Sequence, residues 1–425
     1  MADTTPSTDA VDFYFDPEVA QDPYPYYEAL RAQCPVTREP AHGAIVVTGY
    51  EETIAVLNDT VSFSNCNSMA GPFSGFPEVA PGVDDVADLV EQHRHGMPMH
   101  EHLPMLDPPE HTDHRALLMR LITPKRLSEN EAFMWRLADS QIDGFVDRGA
   151  AEFITDFSNP YANLAITDLL GVPEEDRPGF TEKLGLNPGA GDVESNMLDA
   201  LAFLYDAFSA YIEDRRASPR ADVLTGLANA RFPDGSEPTP IDCARIAAFL
   251  FAAGGDTTSR ILATSMRILG EDPELQRRLR DDHTRIPNFV EEVLRYEGAV
   301  KADHRLTRRS TTIGGVDIPA GSVVALLLGA ANRDPRRFDD PDAFVADRPN
   351  ARAHVAFGHG VHTCPGAPLA RAEARIALER LLDRLDDIRV SAAHHGPPED
   401  RRYEYEPTFV LRGLRRLYLE FTPRG

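Results

Sequence analysis

The sequence predicts a mainly helical protein with small β-sheets, of the α+β class and forming a single domain over residues 1–425. Apolar residues recur at the spacing of a helix face over long stretches, whereas runs of strand character are few and short. No internal repeat, low-complexity tract or flexible linker divides the chain. The polar beginning of the chain is expected to form a poorly ordered segment at residues 1–20.

Helices are predicted where apolar residues recur every three or four positions, at 51–58, 115–122, 131–146, 198–216, 246–262 and 378–385. Strands are predicted where short β-branched runs lie between turn residues, at 44–47, 311–313, 316–318 and 322–326. The pair Gly314-Gly315 indicates a tight turn between the second and third of these strands.

Composition and charge exclude several classes of protein. A chain of 425 residues with 42% hydrophobic content can bury a large core, and four scattered cysteines do not indicate a disulfide scaffold. The net charge of −25 would repel a phosphate backbone, so we expect no nucleic-acid partner. The amino terminus is polar and acidic, and no long apolar run occurs, so we expect a soluble, cytoplasmic protein without a membrane anchor.

One cysteine, Cys364, lies in the run Phe-Gly-His-Gly-Val-His-Thr-Cys-Pro-Gly at 357–366, directly before a predicted helix. The positive end of the helix dipole and the unpaired backbone N–H groups there favour a thiolate over a thiol. A thiolate of this kind can bind a metal ion or attack an electrophile. The alternative is a buried structural cysteine in a glycine-rich turn, which is common for a single cysteine.

This run resembles the cysteine-ligand loop of the cytochrome P-450 superfamily, in which a Phe, two Gly and an Arg or His precede the cysteine that ligates the haem iron. The resemblance implies that Cys364 supplies the axial thiolate and that Phe357 lines the proximal face of the haem. It implies a soluble, bacterial-type protein in which haem b lies between an oxygen-activation helix and this loop.

A second motif, Gly-Gly-Asp-Thr-Thr at 254–258, interrupts the predicted helix 246–262. Each glycine costs a helix about 1 kcal/mol relative to alanine, so the motif indicates a functional site unless the helix is simply a flawed core element. A phosphate-binding loop would require a preceding strand and a Lys-Ser/Thr ending, which are missing. The motif is similar to the family's oxygen-activation helix, which implies that Thr257 and Asp256 are catalytic and manage protons.

Glu292 and Arg295 are spaced to pair on one helix face, although Glu-x-x-Arg is common on exposed helices. Followed by Asn-Arg-Asp at 332–334 and by Arg348, the pair resembles the family's buried Glu–Arg–Arg network. The resemblance implies a structural role beneath the haem. Loss of Glu292 should therefore cost several kcal/mol or prevent haem incorporation.

A haem needs partners for its two propionates, and side chains with several N–H donors suit carboxylates. His111 and Arg115 are four residues apart and match the family's His/Gln-x-x-x-Arg. Arg305 stands at the family's other propionate arginine, and His362 occupies the Arg-or-His position two residues before the cysteine. Taken singly, each is more typical of a surface charge.

A long segment at 66–109 is rich in Gly, Pro, Met and His, and in the family this segment roofs the substrate pocket. Further expected pocket residues are Phe249, Ala252, Ala253, the surroundings of Val300, and Phe409. An alternative is a zinc or non-haem iron site among the six histidines His93, His95, His100, His102, His111 and His114. No established metal-ligand spacing supports it.

The resemblance, carried by these motifs in the family's order, implies a monooxygenase that inserts one atom of O₂ into an apolar small molecule. Electrons would come from NAD(P)H through a separate ferredoxin and ferredoxin reductase, and we expect a monomer. A basic stretch with Arg115, Arg120, Lys125 and Arg126 either docks the acidic electron donor or is a solvated helix face. Alternatives for the whole protein are a haem-binding sensor or carrier and a peroxide-driven peroxygenase, although the Asp256-Thr257 pair favours O₂.

Overall fold

The computed structural model describes residues 11–184 and 193–424, with the backbone alone at 181–184 and 193–200. Sixteen α-helices lie within these described residues: α1 Pro17–Gln21, α2 Tyr24–Gln33, α3 Tyr50–Asn58, α4 Ala87–His93, α5 Glu110–Leu118, α6 Pro124–Asp143, α7 Asn159–Leu170, α8 Arg177–Leu184, α9 Val193–Ala217, α10 Val223–Ala228, α11 Pro240–Glu271, α12 Pro273–Asp281, α13 Ile286–Glu297, α14 Leu328–Ala331, α15 Ala367–Arg384 and α16 Ala392–His395.

The same part of the chain contains ten short strands: β1 Val36–Arg38, β2 Ile45–Val47, β3 Phe63–Ser64, β4 Ala150–Glu152, β5 Ala302–Thr307, β6 Thr311–Ile313, β7 Val316–Ile318, β8 Val323–Leu327, β9 Leu385–Val390 and β10 Tyr418–Pro423. They form one five-stranded sheet, one three-stranded sheet and a hairpin of β6 and β7. The predicted class, mainly helical with small sheets, is confirmed.

The helix predictions are confirmed, with shifted ends. Helix α6 begins earlier than the apolar pattern suggested because Pro124 occupies its first turn and the Thr123 hydroxyl accepts a hydrogen bond from the Arg126 N–H. Helix α11 spans 32 residues and begins at Pro240, earlier than predicted, because a capping box of Thr239 and Asp242 caps its first turn. Helix α5 ends at Leu118, four residues before the expected end.

The chain divides into two compact units. The first unit contains residues 11–111, 291–364 and 404–415, and the second contains 112–184, 193–290, 365–403 and 416–424.

The first unit is built on the five-stranded sheet, in the order β1-β2-β8-β5-β3. Strands β2 and β8 are parallel and the other neighbours are antiparallel. Both faces of the sheet are covered, since Val47 and Val324 belong to one core cluster while Val46 and Ala325 belong to another. Burial on both faces explains why these strands read as continuous apolar runs.

The second unit is a helical bundle with α11 near its centre. Helix α11 packs against α7, α9 and α15, while α6 packs against α7 and α15. Strands β4, β10 and β9 form an antiparallel sheet in the same unit. Most of α11 is buried on several sides, as expected for a helix at the core of a bundle.

The beginning of the chain was expected to be poorly ordered over residues 1–20. Residues 1–10 of that range lie outside the described residues. From residue 11 onward the chain forms α1 and buries Phe13, Tyr14 and Val19 in the first unit. Among the described residues, no helix has the length and apolar character that crossing a membrane would require.

Candidate active site

The loop that carries Cys364 is shaped by two glycines and one backbone hydrogen bond. The Cys364 N–H donates to the Phe357 carbonyl oxygen at 2.8 Å. Gly358 and Gly360 have φ angles of +66° and +69°, in the left-handed region that favours glycine. At Gly360 a Cβ would lie 2.7 Å from the Leu57 carbonyl oxygen, so no larger residue fits. The loop presents a half-buried cysteine three residues before α15 begins.

Three predicted propionate partners meet in the first unit. The rings of His111 and His362 have their centroids 3.9 Å apart, and His111 and Arg305 are buried. Burial, and then the nearby positive charges of His111 and Arg305, lower the pKa of His362 to about 3. The Nε2 atom of His362 is buried and has no hydrogen-bond partner among the described residues. An anion carrying oxygen acceptors would accept a hydrogen bond from this nitrogen in its N–H tautomer and would lie close to the Arg305 guanidinium.

Arg305 is held in place by Asp303, which the sequence analysis did not single out. An Arg305 guanidinium nitrogen lies 2.8 Å from the Asp303 carboxylate and also donates to the His304 carbonyl oxygen at 2.7 Å. Burial would raise the pKa of Asp303, but the Arg305 charge and the Ser68 hydroxyl bring it below its ordinary value. The signal was the Asp-x-Arg spacing, which puts both side chains on one face of β5.

Helix α11 carries an exposed patch in the middle of an otherwise buried helix. Ala252, Ala253 and Asp256 are exposed and Thr257 is half-buried, while most residues before and after them are buried. The Thr257 hydroxyl donates to the Ala253 carbonyl oxygen at 2.7 Å. The Asp256 carboxylate accepts a hydrogen bond from Arg260 at 3.0 Å. The second unit therefore presents small apolar residues, a hydroxyl and a carboxylate on one face of this helix.

The two glycines of this motif have a packing role that the sequence analysis did not anticipate. At Gly255 a Cβ would overlap the side-chain amide of Asn163 on α7, and at Gly254 it would lie 3.3 Å from Ile166 Cδ1. The glycines thus allow α7 to approach α11 closely. The helix remains unbroken over Pro240–Glu271.

A buried carboxyl group, Glu373 on α15, was also missed. The Thr258 hydroxyl donates to Glu373 Oε2 at 2.8 Å, whereas Glu373 Oε1 has no hydrogen-bond partner among the described residues. Burial raises the pKa of Glu373 to about 8. The available signal was a glutamate at an apolar helical position, four residues after Leu369 and three before Ile376, both of which are buried.

The predicted residues are therefore divided between the two units. Cys364, His362, Phe357, Arg305 and His111 belong to the first unit. Arg115, Asp256 and Thr257 belong to the second, and Arg115 is a half-buried residue on α5, four positions after His111.

The segment 66–109 differs from the expectation of a long pocket loop. It contains α4 and several short 3₁₀ turns, and it buries Met97, Leu103 and Met105 in the first unit instead of exposing them to a ligand. Phe73 remains partly exposed, and its ring contacts Phe409 with centroids 5.9 Å apart. Among the described residues, which include all six histidines of the cluster, no group of three or more His, Cys, Asp or Glu side chains is placed to hold a metal ion.

The Glu-x-x-Arg pair forms the network that the resemblance implied. Both oxygens of Glu292 accept hydrogen bonds from Arg295, at 2.7 and 2.8 Å, and both also lie within 3.1 Å of Arg348 Nε. Glu292 and Arg295 are fully buried and Arg348 nearly so. The Val345 N–H donates to the same carboxylate at 2.9 Å. The network therefore fixes the segment that precedes the cysteine loop.

Comparison with known proteins agrees with this geometry. A sequence model of the family "Cytochrome P450" matches residues 193–402. Cytochrome P450 109 of Bacillus spizizenii is 32% identical over 409 residues, covering 94% of this chain and 92% of that protein.

Solved structures give the same result. The substrate-free form of CYP150A6 from Mycobacterium marinum superimposes with a TM-score of 0.93 at 55% identity, covering 99% of this chain and 100% of that one. CYP109E1 of Bacillus megaterium in complex with corticosterone has a TM-score of 0.80 at 27% identity, covering 95% of this chain and 99% of that one. The expected single cytochrome P-450 fold is thereby confirmed, and the chain belongs to the bacterial-type cytochrome P-450 family, as a haem-thiolate monooxygenase.

Proposed function

We propose that this chain inserts one atom of O₂ into an apolar small molecule, using haem b bound through the Cys364 thiolate. The observation that carries the proposal is in the first unit, where one short loop places Cys364 two residues from His362, whose unsatisfied Nε2 belongs to the His111–Arg305 cluster. A thiolate beside a cluster that suits carboxylates matches the iron and the propionates of one haem.

The residues present fit that group. His362, His111 and Arg305 would hold propionates, and the resemblance adds Arg115 as a further propionate partner. Phe357 would line the proximal face. When bound, the haem supplies the activation of O₂, with the thiolate favouring O–O cleavage.

The protein's own contribution to the chemistry would come from α11. The Thr257 hydroxyl, now held by the Ala253 carbonyl, would hold a proton near the reacting centre, and the exposed Asp256 would exchange protons with solvent. This assignment favours O₂ and external electrons over peroxide as the oxidant.

The substrate would be apolar, because the exposed centre of α11 includes the small apolar residues Ala252 and Ala253. Since the Bacillus megaterium relative was solved with corticosterone, a steroid belongs in the first panel of test compounds. A shift of the haem spin state on titration would identify a ligand that displaces water opposite the cysteine.

Electrons would come from NAD(P)H through a ferredoxin and its reductase. Of the basic stretch, Arg120 and Lys125 are exposed, whereas Arg126 is engaged by the Leu169 carbonyl oxygen at 2.9 Å. Arg120 and Lys125 are therefore our choice for docking an acidic ferredoxin. Arg120→Glu should slow electron transfer at low salt, while Arg231→Glu, at another exposed arginine, should not. Because NAD(P)H is the electron source, we place the enzyme in the cytoplasm, as a monomer that size-exclusion chromatography would verify.

The decisive experiment replaces Cys364 with serine. The wild-type protein should give the thiolate-type Soret band with carbon monoxide after reduction, and the variant should lose it. Oxygen uptake coupled to product, with surrogate ferredoxin and reductase, distinguishes an enzyme from a haem-binding sensor or carrier. Retention of the thiolate band in Cys364→Ser would refute the proposal.

Thr257→Ala tests the proton assignment. We expect oxygen uptake to continue with more hydrogen peroxide and less product. The matched control is Ser265→Ala on the same helix, since the Ser265 hydroxyl makes the same kind of bond to the Ile261 carbonyl at 2.7 Å. Equal uncoupling in both variants would contradict the assignment.

A further inference from the structure

Residues 353–357, which lead into the cysteine loop and include its first residue, are held by several hydrogen bonds within the first unit. The Tyr50 hydroxyl donates to the Ala353 carbonyl oxygen at 2.7 Å, and the Val355 N–H donates to Asn332 Oδ1 at 2.7 Å. The Phe357 carbonyl oxygen accepts the Cys364 N–H at 2.8 Å. Each of these bonds restrains the loop that holds the cysteine.

His354 is the central member of this segment, and its contacts define its tautomer. The Ala356 N–H donates to His354 Nδ1 at 3.1 Å, so Nδ1 carries a lone pair. The proton is then on Nε2, which lies 3.0 Å from Glu291 Oε2 and donates to it. The two side chains are 1% and 9% exposed, so water does not compete for these bonds.

Glu291 and Glu292 are adjacent on α13 but hold different segments. Glu292 holds Arg348 and the Val345 N–H, while Glu291 holds His354. Successive helix residues point about 100° apart, so one helix can anchor both segments. The ring of His354 also packs against Phe357, with centroids 5.7 Å apart.

We propose that His354, oriented by Glu291, is a positioning residue for the cysteine loop: its Nδ1 holds the Ala356 amide and its ring holds Phe357, which in turn fixes the Cys364 backbone. The inference rests on the proposed function, because the loop it positions is the haem-ligand loop. His354 acts through the loop and touches no reacting atom.

Two conservative variants test the two ring nitrogens of His354 separately. Asparagine places an oxygen near the position of Nδ1, so His354→Asn keeps an acceptor for the Ala356 N–H and gives up the bond to Glu291. Glutamine reaches the position of Nε2, so His354→Gln keeps a donor to Glu291 and gives up the Ala356 acceptor. Both variants lose one buried hydrogen bond, so general destabilisation should affect them equally.

The holoprotein is examined by amide hydrogen exchange at Ala356 and by the fraction of the carbon-monoxide complex with the thiolate-type Soret band. In His354→Gln we expect Ala356 exchange to rise about fivefold, the change that follows from losing one net hydrogen bond of about 1 kcal/mol, and the thiolate fraction to fall. Both variants lose the ring contact with Phe357, so the contribution of Nδ1 is the difference between them. In His354→Asn both readouts should change clearly less than in His354→Gln.

His395 is a matched control in the second unit. It is buried, its Nε2 accepts the Tyr418 N–H at 3.0 Å, and its Nδ1 donates to the Arg402 carbonyl oxygen at 3.1 Å. His395→Gln should lower the unfolding temperature without changing either loop readout.

Three outcomes would overturn the inference: wild-type exchange in His354→Gln, equal defects in His354→Asn and His354→Gln, or the same loop change in His395→Gln. These outcomes are separate from the fate of the proposed function. That function fails if Cys364→Ser retains the thiolate band, whereas exchange at the Ala356 amide does not depend on which residue ligates iron.

Discussion

The hydroxyl of Thr258 donates to Oε2 of Glu373 at 2.8 Å, between helices α11 and α15 of the second unit. Both side chains are buried, and Oε1 of the same carboxyl has no partner among the described residues. A buried carboxylate with one hydrogen bond would be costly, so the group is retained as a neutral acid. Thr258 directly follows Thr257 on α11. Its hydroxyl bonds to Glu373 on α15, whereas the Thr257 hydroxyl bonds to the Ala253 carbonyl oxygen of its own helix.

Glu373→Gln should change how stability depends on pH. Burial raises the folded-state pKa of Glu373 to about 8, above the ordinary value of a free glutamate. A raised pKa means that the stabilisation is complete below the unfolded-state value and is lost as pH rises through about 8. Glutamine resembles the neutral acid and avoids this loss. At alkaline pH the free energy of unfolding of the variant should therefore be higher than that of the wild type by on the order of 1 to 4 kcal/mol.

Urea unfolding at pH 5 and pH 9 measures the difference. Glu379→Gln, on the same helix and paired with Arg375 at 3.3 Å, is the control and should leave the pH profile unchanged. An identical profile for Glu373→Gln and the wild type would mean that the carboxyl is not neutral in the folded protein.

Gly255→Ala should destabilise the protein because the new methyl group overlaps Asn163, whose Cγ would be only 3.1 Å away. Alanine gains about 1 kcal/mol of helix propensity, whereas overpacking costs about 1–3 kcal/mol. We expect a net loss that Asn163→Ala reverses in the double variant. Gly254→Ala is the control, since its nearest neighbour would be at 3.3 Å. Additive effects of Gly255→Ala and Asn163→Ala in thermal unfolding would rule out the proposed contact.

The helices of this fold could be predicted because their amphipathic pattern is local, but β5 could not. Its central residues Asp303, His304 and Arg305 are polar, yet they pair with β8 and the six positions of β5 are buried or nearly so. Their burial depends on pairing with each other and with Ser68, which is distant in sequence. A sequence pattern of strand residues does not contain that information.

In the candidate site, too, some residues could be predicted from the sequence, whereas others are recognisable only from their tertiary contacts. The resemblance named His111, Arg305 and His362, and the structure brings these three together in the first unit. It did not name His354 or Glu373, because each is recognisable only as a polar side chain buried beside a specific partner. Met97 and Met105 belong to the segment 66–109 that was expected to roof the pocket, and tertiary packing buries both in the core.

Asp107→Asn should loosen the segment 66–109. The Asp107 carboxylate lies 2.6 Å from Arg94 and from Arg308 and accepts the Asn65 N–H at 2.9 Å. Burial would raise the pKa of Asp107, but the charge of Arg308 and the hydrogen bonds from Ser64 and the Asn65 N–H lower that pKa below its ordinary value. A lowered pKa gives stability that is present above the unfolded-state value and is lost as pH falls.

The variant should therefore lose about 3–5 kcal/mol near pH 7, as for a broken buried ion pair. The deficit should shrink in acid, and protease should cut first within residues 66–109. Asp85→Asn, which breaks an exposed pair with Arg309, should leave the free energy of unfolding and the protease pattern nearly unchanged. A constant deficit from pH 3 to pH 7 would count against the ionic explanation.

Glu292→Gln tests directly how burial changes the contribution of a Glu-x-x-Arg pair, because the same spacing also occurs on exposed helix faces of this chain. Glu292 and Arg295 on α13 are fully buried, whereas Glu274 and Arg277 on α12 are about 60% exposed. Glu292→Gln leaves Arg295 and Arg348 without a buried counter-charge and should cost about 3–5 kcal/mol. Glu274→Gln should cost a few tenths of a kcal/mol, since an exposed pair on a helix contributes little. Urea unfolding of the two variants measures both costs, and haem content after purification gives a second readout for α13. Equal costs at the two sites would show that the buried network adds nothing beyond an ordinary helix pair.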